Sequence, residues 1–160
     1  MSDALHRDPA VVAHAEAVLA GLAEDSRALV YGSLLTDDGF LIAQVRAGGT
    51  DGGRFASMAS AMQALSEAVV RELSIGDAEY VVIAAGEGHV IQRRVPGQTV
   101  VLAALFDTDE TLGKALAATK ISAQRMTALP RTGAQTGDGP ASESAAGAPL
   151  LQHHDPTQNS

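Results

Sequence analysis

Ala28-Leu29-Val30-Tyr31-Gly32-Ser33-Leu34-Leu35, then Asp37-Asp38-Gly39, then Phe40-Leu41-Ile42-Ala43-Gln44-Val45: two apolar runs of strand length meet at a glycine turn. Glycine takes positive φ without steric penalty, so this joint predicts a hairpin, with strands over 28–35 and 40–45. The same grammar repeats downstream. Tyr80 to Ala85 is a continuous apolar strand, Gly86-Glu87-Gly88 turns it into His89 to Val95, and Pro96-Gly97 turns that into Gln98 to Phe106. In the first of these runs Tyr80, Val82 and Ala84 point one way and Val81, Ile83 and Ala85 the other. Val100 to Leu105 is likewise apolar on both sides. A strand apolar on both faces has to be covered on both faces.

Helices separate these strands. Asp8 can accept from the free amides of a first turn, and Pro9 sits where a missing N–H is harmless. Val12, Ala15, Leu19 and Leu22 then share one face, flanked by Val11 and Val18, and Glu24-Asp25-Ser26 ends the helix. Four glycines within Ala47–Gly53 predict a flexible connection. A long helix follows from Arg54 to Leu73, with Phe55, Met58, Met62, Leu65, Val69 and Leu73 on one face. Its flank carries Ser57, Ala61, Ala64 and Ala68, small residues that let another backbone approach, although alanine also simply favours helices. Asp107 and Glu110 have the spacing of a capping box for a last helix, whose buried stripe is Leu112, Leu116, Thr119, Ala123 and Met126, ended by Pro130. The order α-β-β-α-β-β-β-α predicts an α+β fold: a five-stranded, mostly antiparallel sheet sandwiched by helices.

At 160 residues the chain is long enough for one domain with a real core. We place a flexible N-terminus at residues 1–7, the domain at 8–129 and a disordered Gly/Pro/Ala/Ser-rich tail at 130–160. Nineteen acidic residues against eleven basic ones give a net charge of -8, a poor surface for nucleic acid. The absence of cysteine excludes disulfides, thiolate metal sites and a cysteine nucleophile. The start Met1-Ser2-Asp3-Ala4-Leu5-His6 lacks a basic, apolar leader, and the longest apolar run, Val100 to Phe106, falls far short of the roughly 20 residues that span a bilayer. The expectation is a cytoplasmic protein with no membrane span.

Residues that could carry chemistry are few. Gly113-Lys114 lacks the upstream glycine of a phosphate loop, and Gly86-Glu87-Gly88 lacks the third glycine of a dinucleotide fingerprint. The carboxylate pairs Asp37-Asp38 and Asp109-Glu110 are accounted for by a turn and a helix cap. His6, His14, His89, His153 and His154 read as solvated polar residues. Arg93 and Arg94, adjacent on a strand, point to opposite faces and make no common patch. No nucleophile, base and oxyanion donor can be assembled, so the expectation is a non-enzymatic protein with no catalytic residue, cofactor or metal. Arg54, beside the glycine-rich connection, is placed to meet an acidic partner surface.

With these stretches read, the chain resembles the Roadblock superfamily of small dynein-light-chain-like domains, over roughly residues 8–129. The resemblance is carried by Ala28–Ser33 through Asp38–Ala43, by Met58 to Gly76 with its ending Arg71-Glu72-Leu73-Ser74-Ile75-Gly76, and by Val100 to Leu112. It implies homodimers or heterodimers joined edge to edge through the middle strand, here Tyr80, Val81, Val82, Ile83, Ala84 and Ala85. The central helices would lie side by side, where Ser57, Ala61, Ala64 and Ala68 would suit the pairing. Bacterial members similar to this one, the MglB-like proteins of polarity and motility systems, act on or scaffold Ras-like small GTPases. The resemblance therefore implies a regulator or scaffold whose partners are a second copy and a small GTPase, with GTPase contacts from Arg54 and from Leu150 and Leu151 in the tail. Helix-flanked antiparallel sheets also occur in PAS-like and GAF-like ligand sensors. Such a pocket would need Phe40, Phe55, Phe106, Tyr31 and Tyr80 as its aromatic walls.

Overall fold

The computed structural model of the chain describes residues 2–46 and 48–128. The segment 130–160, with Leu150, Leu151, His153 and His154, lies outside the described residues. A 3-10 helix, Ser2–Arg7, leads into α1 (Pro9–Asp25), β1 (Leu29–Thr36), β2 (Leu41–Val45), α2 (Gly52–Leu73), β3 (Tyr80–Ala85), β4 (Gly88–Arg94), β5 (Val100–Phe106) and α3 (Leu112–Met126). The strands form one five-stranded sheet in the order β2-β1-β5-β4-β3, and every pairing is antiparallel. The predicted element order and architecture hold.

The local reasons are visible at the element ends. The Asp8 carboxylate accepts from the Ala10 and Val11 amides, with Pro9 opening α1. Gly39 takes φ +93 in the turn between β1 and β2, and Thr36 Oγ1 accepts from the Phe40 amide there. Asp51 caps α2 by accepting from the Arg54 amide at 3.1 Å. The last helix starts later than its sequence suggests. Asp107 turns its carboxylate onto the Asp109 amide, Glu110 accepts from Ser26 Oγ at 2.7 Å, and Thr111 provides the N-cap. Residues that look like a capping box are thus used in the preceding turn.

α1 and α3 pack on one face of the sheet and α2 on the other. The α1/α3 side holds the large core: Val11, Ala15, Val18, Leu19 and Leu22 from α1, Leu102, Ala104 and Phe106 from β5, and Ala115, Ala123 and Met126 from α3. Each fully buried leucine or phenylalanine there contributes about 1.5–3 kcal/mol by leaving water. The buried stripes differ in phase from the expected ones: Val11 replaces Val12 in the first turn of α1, and Ala115 and Ser122 replace Leu112 and Leu116 on α3. The α2 side is much thinner: Ala56 and Ala59 meet Leu35, Val101 and Ala103, with Phe55 beside them.

Two expectations are corrected by the sheet order. β5, apolar on both faces, is covered on both faces as expected. β3 carries the same pattern and is expected as the middle strand, but it is an edge strand, paired only with β4 and largely open to solvent, and β5 takes the middle of the sheet. The apolar face of α2 is also turned away from the sheet. Met58, Leu65, Val69 and Leu73 are exposed, and the residues that meet the sheet are Ala56, Ala59 and Gln63.

Candidate functional site

The open edge of β3 and the outer side of α2 lie next to each other. β3 pairs with β4 from Tyr80↔Arg93 to Ala85↔Gly88 and presents its other edge bare. Between β3 and α2 runs an apolar groove of about 580 Å³, lined by Met62, Leu65 and Val69 from α2 and by Tyr80, Val81 and Ile83 from β3. Leu65 is 66% exposed, Tyr80 and Ile83 47% each. Of the eleven large apolar residues exposed among the described residues, seven belong to this region: Met58, Leu65, Val69, Leu73, Ile75, Tyr80 and Ile83. Water-exposed apolar residues scattered singly need no explanation, but a contiguous set marks an interaction surface.

The named site residues fall into three groups. Tyr80, Val81, Val82, Ile83 and Ala84 form the open strand itself. Ser57, Ala61, Ala64 and Ala68 lie away from the sheet-facing side of α2 but do not line the groove; the side facing β3 carries larger residues. Arg54 is exposed at the N-terminal end of α2, remote from the groove. Leu65 and Val69, the strongest members of the surface, belong in sequence to the helix's apolar face. The signal that could have separated them from a core face is the second apolar-poor face of Ala56, Ala59 and Gln63.

A polar chain holds α2 over the sheet where apolar contact is thin. Gln92, fully buried, donates to Gln63 Oε1 at 3.0 Å, Gln63 donates to Glu67 at 2.8 Å, and Glu67 pairs with Arg94. Buried amides make such a chain specific, because each group left unpaired costs about 1–3 kcal/mol. Arg93 points to the opposite face, as alternation requires, and its guanidinium lies 4.7 Å from the Tyr80 ring centroid. Burial holds the Arg93 pKa below its ordinary value, while Tyr80 and Glu79 pull it up.

Two histidines read as solvated instead lie against backbone carbonyls: His14 Nε2 is 3.0 Å from that of Arg125 and His89 Nε2 is 3.2 Å from that of Glu110. The five aromatics do not wall a common cavity. Tyr31 and Phe55 meet edge to face at 4.8 Å, Phe106 is in the α1/α3 core, Phe40 stacks on His6, and Tyr80 is on the sheet edge. Among the described residues no group of three His, Cys, Asp or Glu is placed to hold a metal ion, and no helix is long and apolar enough to cross a membrane.

A family model described as the Roadblock/LC7 domain matches residues 25–106, just over half of the chain. No curated protein sequence matches it. Among solved structures it is similar to Myxococcus xanthus MglB (TM-score 0.69, 19% identity, 76% of this chain and 94% of that one). It is also similar to the gliding protein MglB from Thermus thermophilus (TM-score 0.64, 19% identity, 72% and 87%). A third likeness is to an MglB described in a tetrameric arrangement (TM-score 0.61, 21% identity, 71% and 88%). At these identities the likeness is one of fold.

Proposed function

The chain belongs to the Roadblock/LC7 domain family, and from that premise we propose that it is a non-catalytic, dimeric regulator or scaffold of a Ras-like small GTPase in the cytoplasm. The observation that carries this reading is the clustering of exposed apolar residues along α2 and the bare β3 edge. Two copies pair their β3 strands antiparallel about a two-fold axis, which removes an edge that otherwise invites uncontrolled pairing. Leu65, Val69 and Ile83 of each copy are then withdrawn from water, and the two α2 helices come to lie side by side. Ser57, Ala61, Ala64 and Ala68 border that junction. The tetrameric arrangement described for one MglB supports self-association as a property of this fold.

The joined α2 helices offer one continuous surface for a GTPase. A surface that binds switch loops better when they are ordered shifts their population toward the ordered state, which is how a protein without a catalytic group regulates hydrolysis. Arg54, and Leu150 and Leu151 beyond the described residues, are the contacts we assign to that partner. The test has two parts. Light scattering is expected to give a dimer at micromolar concentration, and immobilised dimer is expected to retain a cognate Ras-like GTPase loaded with a non-hydrolysable GTP analogue but not with GDP. A strictly monomeric chain overturns the assembly, and a dimer indifferent to the GTP form overturns the GTPase role.

A further inference from the structure

We propose that Arg93 is the receptor for the Glu87 carboxylate of a second copy, so that the paired β3 edges carry an ion pair at each end. This rests on the dimer just described. Arg93 is only 9% exposed, yet its guanidinium makes no hydrogen bond among the described residues, and its Nε is fully enclosed without an acceptor. A guanidinium has five donors in a planar fork and stays charged under all physiological conditions. The Tyr80 ring, with its centroid 4.7 Å from Arg93 Cζ, answers the face of that plane but offers nothing to its N–H edge. A cation held this way lacks the carboxylate that normally accompanies it out of water.

The strands β3 to β5 and their turns offer one carboxylate without a partner among the described residues. From Tyr80 to Phe106 the sequence contains two cations, Arg93 and Arg94, one histidine, and a single acidic residue, Glu87. Arg94 already pairs with Glu67. Glu79, next in sequence to Tyr80, is near enough to act on Arg93 through its charge, yet it forms no ion pair with it. Glu87 is exposed in the turn after β3 and has no ion pair among the described residues. Tyr80, directly opposite Arg93, opens β3, whereas Glu87 follows its end. In an antiparallel pair about a two-fold axis, the start of one β3 runs beside the end of the other. That juxtaposition brings Glu87 of one copy toward Arg93 of the other.

The test is a double-mutant cycle on the dimerisation constant, read by sedimentation equilibrium on the full chain. Glu87→Gln and Arg93→Met are each expected to weaken the dimer about tenfold or more, and the double variant is expected to be no weaker than the poorer single one. Glu87→Arg, a change on an exposed turn that leaves folding alone, is expected to weaken it further by setting two cations together. Thermal melts of Arg93→Met are expected to show a fold at least as stable as the parent. If Arg93→Met does not fold, the Glu87 variants decide alone. A dimer whose constant is unmoved by Glu87→Gln and Glu87→Arg, or singles whose effects multiply, overturn the ion pair and leave the dimer standing. A monomeric parent overturns both.

Discussion

The sheet has two edges, and the chain packs far more of itself against one than against the other. At the β2 edge, α1 and the N-terminal 3-10 helix pack on the strand from one direction and α2 from the other. Ile42 and Ala43 are buried, and Arg46, just past the strand with φ +54, donates to the carbonyls of Ala23, Ser26, Arg27 and Leu29. At the β3 edge no residue is buried, and α2 turns its large apolar side chains outward over the neighbouring groove. An edge both apolar and bare invites pairing with another strand, which is the assembly proposed above. The α2 side of the sheet follows the same division: alanine contacts near β1, a polar chain over β4, and open apolar surface at β3.

The largest effect is expected from charging the open edge. Ile83→Lys combined with Leu65→Lys puts two cations into the proposed junction, four in a dimer. Self-association is expected to weaken by at least about a thousandfold, since central apolar contacts of this kind carry several kcal/mol. Both side chains are largely exposed in the single chain, so its melting temperature is expected to stay within a few degrees of the parent. Sedimentation velocity and a thermal melt on the same sample separate the two readouts. A variant that unfolds, or one that still dimerises, breaks the contrast between the edges.

A paired substitution sharpens the contrast. Ile42→Ala, at a position 6% exposed, is expected to cost about 2–4 kcal/mol of folding stability in a urea titration. Ile83→Ala is expected to shift single-chain stability by less than about 0.5 kcal/mol, the usual range for surface changes, while weakening self-association. The same deletion thus reads out as folding at one edge and as assembly at the other.

The strands, their turns and the helix order were legible because glycine joints and apolar periodicity are local properties. What escaped was the destination of each apolar face. Val100–Leu105 and Tyr80–Ala85 have the same two-sided apolar pattern, yet one lies in the middle of the sheet and the other at its rim. Hydrophobicity records that a surface leaves water, and it is silent on whether the cover comes from the same chain. α2 is the sharper case: Met58, Leu65 and Val69 announce a face, while the contact with the chain's own sheet is made by Ala56, Ala59 and Gln63, which read as bland. The late start of α3 was hidden for another reason. Asp107 accepts from the Asp109 amide and Glu110 accepts from Ser26, 84 residues away, a long-range contact that local spacing does not reveal.

The smallest effect expected lies where α2 begins, on the finished side of the sheet. Tyr31 is fully buried, donates to Gln44 Oε1 at 3.1 Å and meets Phe55 edge to face. Gly52, the first residue of α2, sits so close to Gln44 and to the Tyr31 hydroxyl that a Cβ there would crowd both. Burial raises the Tyr31 pKa above 10.0, the Ser33 hydroxyl opposes this, and Asp51 adds to it through its charge. Well below pH 10 the phenol is protonated in both folded and unfolded chains and contributes no pH dependence. Above it the unfolded chain loses the proton first, so the folded state binds more protons and stability falls as pH rises toward the folded value. Tyr31→Phe is expected to cost about 1 kcal/mol at neutral pH through the lost hydrogen bond. It is also expected to flatten the part of the alkaline decline that this phenol causes, as the difference between parent and variant urea midpoints at pH 9 and pH 11 would show. Because β3 is remote from this junction, the dimerisation constant at neutral pH is expected to stay unchanged. A Tyr31→Phe chain that loses self-association along with stability would mean that the closed edge and the open one are not independent.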